Sequence, residues 1–223
     1  MGISNTIPPS RLIQPGVVAN TAARPSSPFT GQAIYQVDTN QMLIWNGAAW
    51  VIPNTPAQNP TGLEFITSGT FSGTTNIDGI FTSTYDNYRI VVANMGATSN
   101  GLSNFNFRNT SNATDSSNAY FTVGRRYDTG TNYDFSQGAL TYATTAINVG
   151  TAANSAFIMD IFTPRTTSYT MVSVAGTGTI TNISSVQSSS YFGLTTQFAG
   201  IVFGQSAGSL NAGTYTVYGY RKS

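Results

Sequence analysis

The clearest pattern along the chain is an alternation of apolar and polar positions, and it recurs mainly in the second half. It is plain at residues 105–108, FNFR, and at residues 215–221, YTVYGYR. Successive side chains of a β-strand point to opposite faces of the sheet, so this alternation is typical of half-buried strands. No window of the chain shows a helical period. We therefore predict an all-β protein.

Residues 63–223 consist of short segments rich in Val, Ile, Thr, Tyr and Phe, separated by clusters of Gly, Ser, Asn and Asp. The first group suits pleated, half-buried surfaces and the second suits turns. Strands at this spacing indicate an antiparallel sandwich, and about eight of them favour a jelly-roll-like β-sandwich over an immunoglobulin-like one. The predicted strands are 63–71, 88–93, 104–108, 120–126, 157–162, 169–175, 190–198 and 214–221.

The first part of the chain is punctuated by prolines. Residues 1–30 show no periodicity, and since proline fixes φ and disfavours helix at the preceding residue, they predict an extended N-terminal arm. An arm of this kind is a common way for a subunit to clasp a neighbour. Residues 53–62 carry three further prolines in a polar stretch and predict a stiff linker between domains.

Between the arm and the linker, residues 31–52 predict a small three-stranded β-meander. Its last two strands are separated by Asn46-Gly47, a strong two-residue hairpin signal. A sheet this small has little core of its own, so we expect it to pack on another surface. Tyr35, Trp45 and Trp50 are the candidate particle-docking residues. The alternative for the two tryptophans is that they form the meander's own small apolar face.

Composition narrows the functional classes. The chain has no cysteine and no histidine, which excludes disulfides, thiolate nucleophiles, a Ser-His-Asp triad and the commonest metal ligand. Charged residues make up 8%, and the net charge is +1. An ordinary domain has about 25% charged residues, so this chain must cover itself with uncharged polar side chains or bury surface against copies of itself. We predict no enzymatic activity, no cofactor or metal, no nucleic-acid partner and no membrane insertion.

Loop carboxylates leave two alternatives open. Glycosidases need only two carboxylates, and Asp128 and Asp134 lie close in the sequence. A calcium site on loop carboxylates is the other alternative, although no D-x-D-x-D-G loop is present. Aspartate in β-turns is usually a backbone-bonding turn former, and this is the interpretation we prefer.

Tyrosine is abundant, with 12 in the chain, and two tyrosines flank one predicted loop. Tyr, Asn, Ser and Gly together are typical of adaptable recognition surfaces, where a ring stacks on a sugar and the polar groups bond to it. The candidate surface-recognition loop comprises Tyr127, Asp128, Asn132 and Tyr133. The alternative is that these tyrosines lie at subunit interfaces or cap the core.

Two stretches resemble a known group of proteins. Residues 24–51, RPSSPFTGQAIYQVDTNQMLIWNGAAWV, are similar to a segment of tailed-bacteriophage virion proteins of the short tail fibre and head fibre type, common in marine and cyanobacterial phages. Residues 85–92, YDNYRIVV, and 213–222, GTYTVYGYRK, resemble the β-sandwich domain that often follows it. The resemblance implies a virion location, a jelly-roll-like domain and a homotrimer, and it implies no catalytic residues.

Together these observations predict a structural protein of a phage particle. The expected form is a compact trimeric fibre or appendage, anchored by its N-terminal region to tail, baseplate or capsid proteins, with distal loops that contact host surface polysaccharide. One alternative is a capsid decoration protein or head fibre. An alternative of another class is a carbohydrate-binding or carbohydrate-cleaving module.

Overall fold

A computed structural model of the chain describes residues 16–53 and 62–222. The chain divides into two compact units, Met1–Asn59 and Pro60–Ser223. The boundary falls within the predicted linker, most of which (residues 54–61) lies outside the described residues, as do residues 1–15 of the predicted arm. Each unit has its own sheet.

The first unit is a four-stranded sheet in the order β1-β2-β3-β4. Its antiparallel part, β2 to β4, occupies the place of the predicted meander, and β1 pairs in parallel with β2. Residues 16–30 are therefore folded onto the meander, which has four strands where three were expected. The elements are β1 Gly16–Val18, a 3-10 helix at Thr21–Ala23, β2 Ala33–Gln36, β3 Gln41–Trp45 and β4 Trp50–Val51.

A buried glutamine explains why residues 16–30 of the predicted arm lie against the small sheet. Gln36 has no exposed surface. Its side chain accepts a hydrogen bond from Arg24 Nε at 2.7 Å and donates to Asp38 Oδ1 at 2.7 Å and to Thr21 Oγ1 at 3.3 Å. A buried amide needs such partners, so Gln36 ties the segment before β2 to the sheet.

The second unit contains the remaining twelve strands. We call the eight strands β5-β16-β7-β12-β13-β14-β9-β10 the front sheet and the four strands β11-β8-β15-β6 the back sheet. The two join where Val149 of β11 pairs with Thr179 of β13. The strands are β5 Leu63–Thr70, β6 Thr75–Ile77, β7 Asn87–Ala97, β8 Gly101–Asn109, β9 Tyr120–Asp128, β10 Thr131–Leu140, β11 Ala143–Val149, β12 Ser155–Phe162, β13 Thr170–Thr179, β14 Ile183–Phe192, β15 Phe198–Gln205 and β16 Leu210–Tyr220.

The predicted all-β sandwich is confirmed, but the predicted strand count is wrong. Strands β6, β10 and β11 were not predicted, and the predicted strand 190–198 spans the end of β14, a turn and the first residue of β15. The reason lies in composition. β14 reads ISSVQSSSYF, and three of its inward positions are the buried serines Ser184, Ser188 and Ser190. A strand with serine on both faces lacks the apolar alternation that marks strands in a sequence.

The core fills the space between the two sheets of the second unit. Inward side chains of the front sheet, such as Phe157 on β12, meet Phe203 of the back sheet, with ring centroids 6.2 Å apart. Phe107 on β8 stacks on Phe198 at 4.6 Å. Such aromatic pairs add directional packing to the burial of apolar area. This unit therefore has a single aromatic-rich core of its own.

Tyr120 closes one end of that core with a polar group. Its hydroxyl accepts a hydrogen bond from the backbone N–H of Phe107 at 2.9 Å and donates to the carbonyl of Asp115 at 3.1 Å. Burial raises the pKa of the Tyr120 hydroxyl above its ordinary value. The hydroxyl therefore stays neutral and satisfies two backbone groups at once.

Replacing Tyr120 by Phe should destabilise the sandwich by about 1 to 3 kcal/mol, because the buried N–H of Phe107 loses its acceptor. Urea unfolding followed by circular dichroism measures the change. The control is Tyr142→Phe, which alters an exposed ring and should leave the free energy of unfolding unchanged. Equal stability of the two variants would contradict the role assigned to the Tyr120 hydroxyl.

Candidate functional site

The outward face of the front sheet carries a continuous apolar row. Phe162 of β12 lies opposite Met171 of β13, Met171 lies opposite Tyr191 of β14, and Tyr191 lies opposite Phe121 of β9. Met171 is 55% exposed and Tyr191 41% exposed. The rings of Phe121 and Tyr191 stack at 4.7 Å, nearly parallel. These four side chains, the apolar row, form a ridge across four adjacent strands.

The position of Met171 shows how the row arises. Its neighbours Thr170 and Val172 are buried, so the alternation of β13 directs Met171 outward. Outward positions of a sheet with one solvated face are ordinarily polar. An apolar residue there contributes nothing to the core, and several of them side by side indicate a surface that meets another molecule.

A shallow groove runs beside the apolar row. On the outward face, the position after Met171 in β13 is Ser173, and the position before Tyr191 in β14 is Ser189. These two serines lie opposite each other and form part of the floor of the groove. The volume of the groove is about 280 Å³. No charged residue lines it; its lining is Val123, Phe162, Met171, Val172, Ser173, Ser189, Ser190 and Tyr191.

A second apolar surface, the edge patch, lies at the far side of the front sheet. It consists of Leu63 and Phe65 on β5 together with Tyr218 on β16. Phe65 lies opposite Tyr218, with ring centroids 6.3 Å apart. Phe65 is 60% exposed and Leu63 42% exposed. β5 is an edge strand in the part of the chain that the structure describes.

A polar cluster separates the two apolar surfaces. Arg89 on β7 donates two hydrogen bonds of 2.7 Å to Asp160 on β12, and the Tyr220 hydroxyl on β16 donates a third at 2.8 Å. Partial burial acts to raise the pKa of Asp160, but the hydrogen bonds from Arg89 and Tyr220 outweigh it and lower that pKa below the ordinary value. The guanidinium also lies 5.5 Å above the Tyr220 ring. Asp160 is thus held in its ionised form, and the positive charge of Arg89 balances its negative charge.

The other carboxylates of the chain also have partners within the subunit. Each of the eight acidic side chains forms an ion pair or accepts a hydrogen bond, although Oδ1 of Asp128 is buried without a hydrogen-bond partner. Two of them, Asp38 and Asp115, accept hydrogen bonds from Gln36 and Ser117. Within residues 16–53 and 62–222 no cluster of three or more metal-ligating side chains occurs. The ion pairs are Asp78–Arg108, Asp86–Lys222, Asp128–Arg126, Asp134–Arg125, Asp160–Arg89 and Glu64–Arg221.

The structure divides the candidate recognition loop between two faces. Tyr127, Asp128, Asn132 and Tyr133 all lie at the tip of the β9–β10 hairpin. Tyr127 pairs with Asn132, whereas Tyr133 pairs with Arg126, and paired residues share a face. Arg126 lies 4.9 Å from the Tyr133 ring and forms an ion pair with Asp128. The four residues therefore do not form one surface.

The candidate docking residues are divided in a similar way. Trp45 lies opposite Trp50, with ring centroids 5.6 Å apart, on the face that carries the buried Leu43. Tyr35 lies on the other face, opposite Met42. That second face includes Val17, which is 72% exposed and lies opposite Tyr35. Both faces of this small sheet therefore carry apolar side chains.

Sequence reasoning missed the apolar row and the edge patch. One signal was present: two consecutive apolar residues inside an alternating strand, as in Ile161-Phe162, place one side chain outward. Nothing in the sequence shows that the outward residues of different strands are neighbours, since that depends on strand order and register.

Comparisons of the chain with protein-family models, curated proteins and solved structures find no significant match. Among the described residues the one helical element has three residues, so no helix there is long enough to cross a bilayer. A function must therefore be inferred from the surfaces described above.

Replacing Asp160 by Asn should destabilise the sandwich by about 1 to 2 kcal/mol at pH 7, because Arg89 and Tyr220 lose an ionised acceptor. The folded-state pKa of Asp160 is lowered, so its contribution is present above the unfolded pKa of about 4 and is lost as the pH falls through the folded value. The deficit of the variant should therefore shrink in acid. Urea unfolding at pH 7 and at pH 3 measures both effects.

The matched control is Asp134→Asn. Asp134 also pairs with an arginine, but its side chain is 70% exposed. Exposed ion pairs contribute little, so this variant should unfold like the parent chain at both pH values. A deficit for the Asp160 variant that does not change with pH would count against the assigned ion pair.

Proposed function

We propose that this chain is a structural component of a tailed-phage particle, a compact fibre-like or appendage protein that works as a homotrimer. The observation that carries the proposal is the front sheet. Its outward face presents two exposed apolar surfaces, the apolar row and the edge patch, and the charged groups between and beside them, Arg89, Asp160, Glu64 and Arg221, are paired within one chain. A protein that assembles has a use for such a face, and a solitary one does not.

The low charge supports assembly for an energetic reason. Transfer of an unpaired charge into an interface is costly, whereas apolar and neutralised polar surface can be buried readily. The ion pairs nearest the apolar surfaces, Arg89–Asp160 and Arg221–Glu64, are both satisfied within one chain. Copies of the chain can therefore approach through this face without leaving a charge unpaired.

The two apolar surfaces are compatible with a closed ring, in which each copy joins one surface to the other surface of its neighbour. A two-fold dimer could pair the same two surfaces reciprocally, so the choice of three copies follows from the resemblance to phage fibre proteins. The apolar row and the edge patch are two such surfaces on one sheet. A homotrimer is the smallest ring that satisfies this arrangement.

The N-terminal unit supports the anchoring half of the proposal. Residues 24–51, which resemble a segment of phage virion proteins, include strands β2 to β4 of the small sheet. Both faces of that sheet carry apolar side chains, among them Trp50 on one face and Met42 on the other. A small sheet with two apolar faces suits docking onto tail, baseplate or capsid proteins.

We further assign the sandwich to the jelly-roll-like class. Only β9–β10, β12–β13 and β13–β14 are hairpins within one sheet, and the other connections cross between front and back sheets. Repeated crossing of this kind is the connectivity of jelly rolls.

A carbohydrate-binding role is the second candidate. A pocket of about 230 Å³ lies beside the β9–β10 hairpin and is lined by Tyr133, Phe135, Arg126 and Gln137, among others. Aromatic rings next to amide and guanidinium donors are the chemistry that binds sugars. On a phage particle this pocket would face the host surface polysaccharide.

Removal of residues 1–61 should abolish incorporation into particles and leave a folded sandwich, because the second unit has its own core. Particles purified after co-production with tagged full-length or truncated chain show incorporation by blotting, and circular dichroism shows folding. A truncated chain that still enters particles would contradict the anchoring role.

The full-length chain should have three times the monomer mass in native mass spectrometry and in light scattering. The truncated chain should also be trimeric, since both apolar surfaces lie in the second unit. A monomer at working concentration would overturn the assembly proposal itself.

A further inference from the structure

We infer that neighbouring copies interlock through the two surfaces of the front sheet, with Phe65 of one copy inserted into the groove beside the apolar row of the next copy. The inference rests on the proposed assembly and identifies the residues that perform it. Each copy contributes Phe65 on one side and the groove on the other, and around the proposed three-fold axis this contact is heterologous.

Phe65 has the properties of an inserted side chain. At 60% exposure it is the most exposed aromatic residue of the second unit among the described residues. The edge-to-face contact with Tyr218 restricts the ring, so little conformational entropy remains to be lost on binding. Aromatic side chains, phenylalanine among them, are enriched in protein interfaces relative to the rest of the surface.

The groove has the matching properties of a receiving site. Its walls include Met171, Val123 and Tyr191, and its floor includes two serines, so a ring can enter without meeting a charge. Methionine adapts its shape and makes favourable contacts with aromatic rings. A groove of about 280 Å³ accommodates a side chain and is too shallow to enclose a larger ligand.

The arrangement of the two surfaces identifies the occupant as a second copy of this chain. Strands β16 and β7 lie between β5, which carries Phe65, and β12, which carries Phe162. At about 4.8 Å per strand, that is a separation of roughly 14 Å on one face. Phe65 therefore cannot reach the groove of its own chain. Phe65 of a second copy can, and the proposed trimer is the case in which this contact, repeated around an axis, closes a ring.

Charge supports the same occupant. The polar cluster of Arg89, Asp160 and Tyr220 lies between the two surfaces and is internally satisfied. Glu64, next to Phe65, is paired with Arg221. These charged groups are therefore neutralised within one chain, and they can be buried in the contact without leaving either member of a pair alone.

The first test uses one variant for each side of the contact, Phe65→Ser and Met171→Ser. Both side chains are exposed, so each variant should keep the parent circular dichroism spectrum. Each variant should be monomeric at concentrations up to at least ten times the lowest concentration at which the parent chain is trimeric, and light scattering measures both. The control is Ile183→Ser, which removes an apolar side chain of 62% exposure outside both surfaces and should remain trimeric.

The second test mixes the two variants. The Phe65→Ser chain keeps its groove, and the Met171→Ser chain keeps its Phe65, so one intact contact forms between them. Native mass spectrometry should show a one-to-one heterodimer in the mixture, and neither variant alone should form a dimer. Absence of the heterodimer when both variants are monomeric would overturn the heterologous contact.

Three other outcomes would overturn the inference in distinguishable ways. If both variants remain trimeric, this interface is wrong while the assembly proposal stands. If the Met171→Ser chain stays trimeric but loses retention on immobilised dextran or mannan that the parent chain shows, the groove is a saccharide site. A monomeric parent chain would instead refute the assembly on which the inference rests.

Discussion

The structure depends on the burial of the inward, apolar face of the front sheet. The back sheet covers this face with aromatic contacts such as Phe157–Phe203 and Phe107–Phe198. Burial of that face supplies the main driving force of the fold. Because strands alternate, the same packing fixes which side chains point outward. The packing of the core therefore fixes the outward positions of the apolar row, whereas the residue types at those positions are not fixed by it.

Electrostatics in this chain act within the subunit and leave its surface nearly neutral. The chain has eight acidic and nine basic residues, and almost every charged side chain in the described parts forms a contact within the subunit. Arg108, for example, is largely buried and binds Asp78, while Arg89 binds Asp160. Long-range steering of a charged partner is therefore weak, and recognition must depend on shape and apolar contact.

Local signals made part of the fold predictable. Strands with clear alternation, such as β8 around Phe105 and β16 around Val217, were predicted near their observed places. Strand β14 was largely missed because its inward serines hide the alternation. The apolar row could not be predicted, because Phe121, Phe162 and Tyr191 become neighbours only through strand order and register. The division of Tyr127 from Tyr133 has the same cause.

Edge protection gives an independent reason for a ring. An open sheet ends in strands with unpaired backbone groups, and proteins usually protect such edges with charge, proline, bulges or a covering element. In the described part of the chain, β5 pairs only with β16, and its one charged residue, Glu64, is already paired with Arg221. Leu63 and Phe65 make the outward side of this edge apolar, and the register shift at Ile66, typical of a β-bulge, is left to protect the edge of an isolated subunit. In the proposed contact, insertion of Phe65 into the next copy would bring that subunit against the exposed edge, and closure of a ring would limit the association to a fixed number of copies.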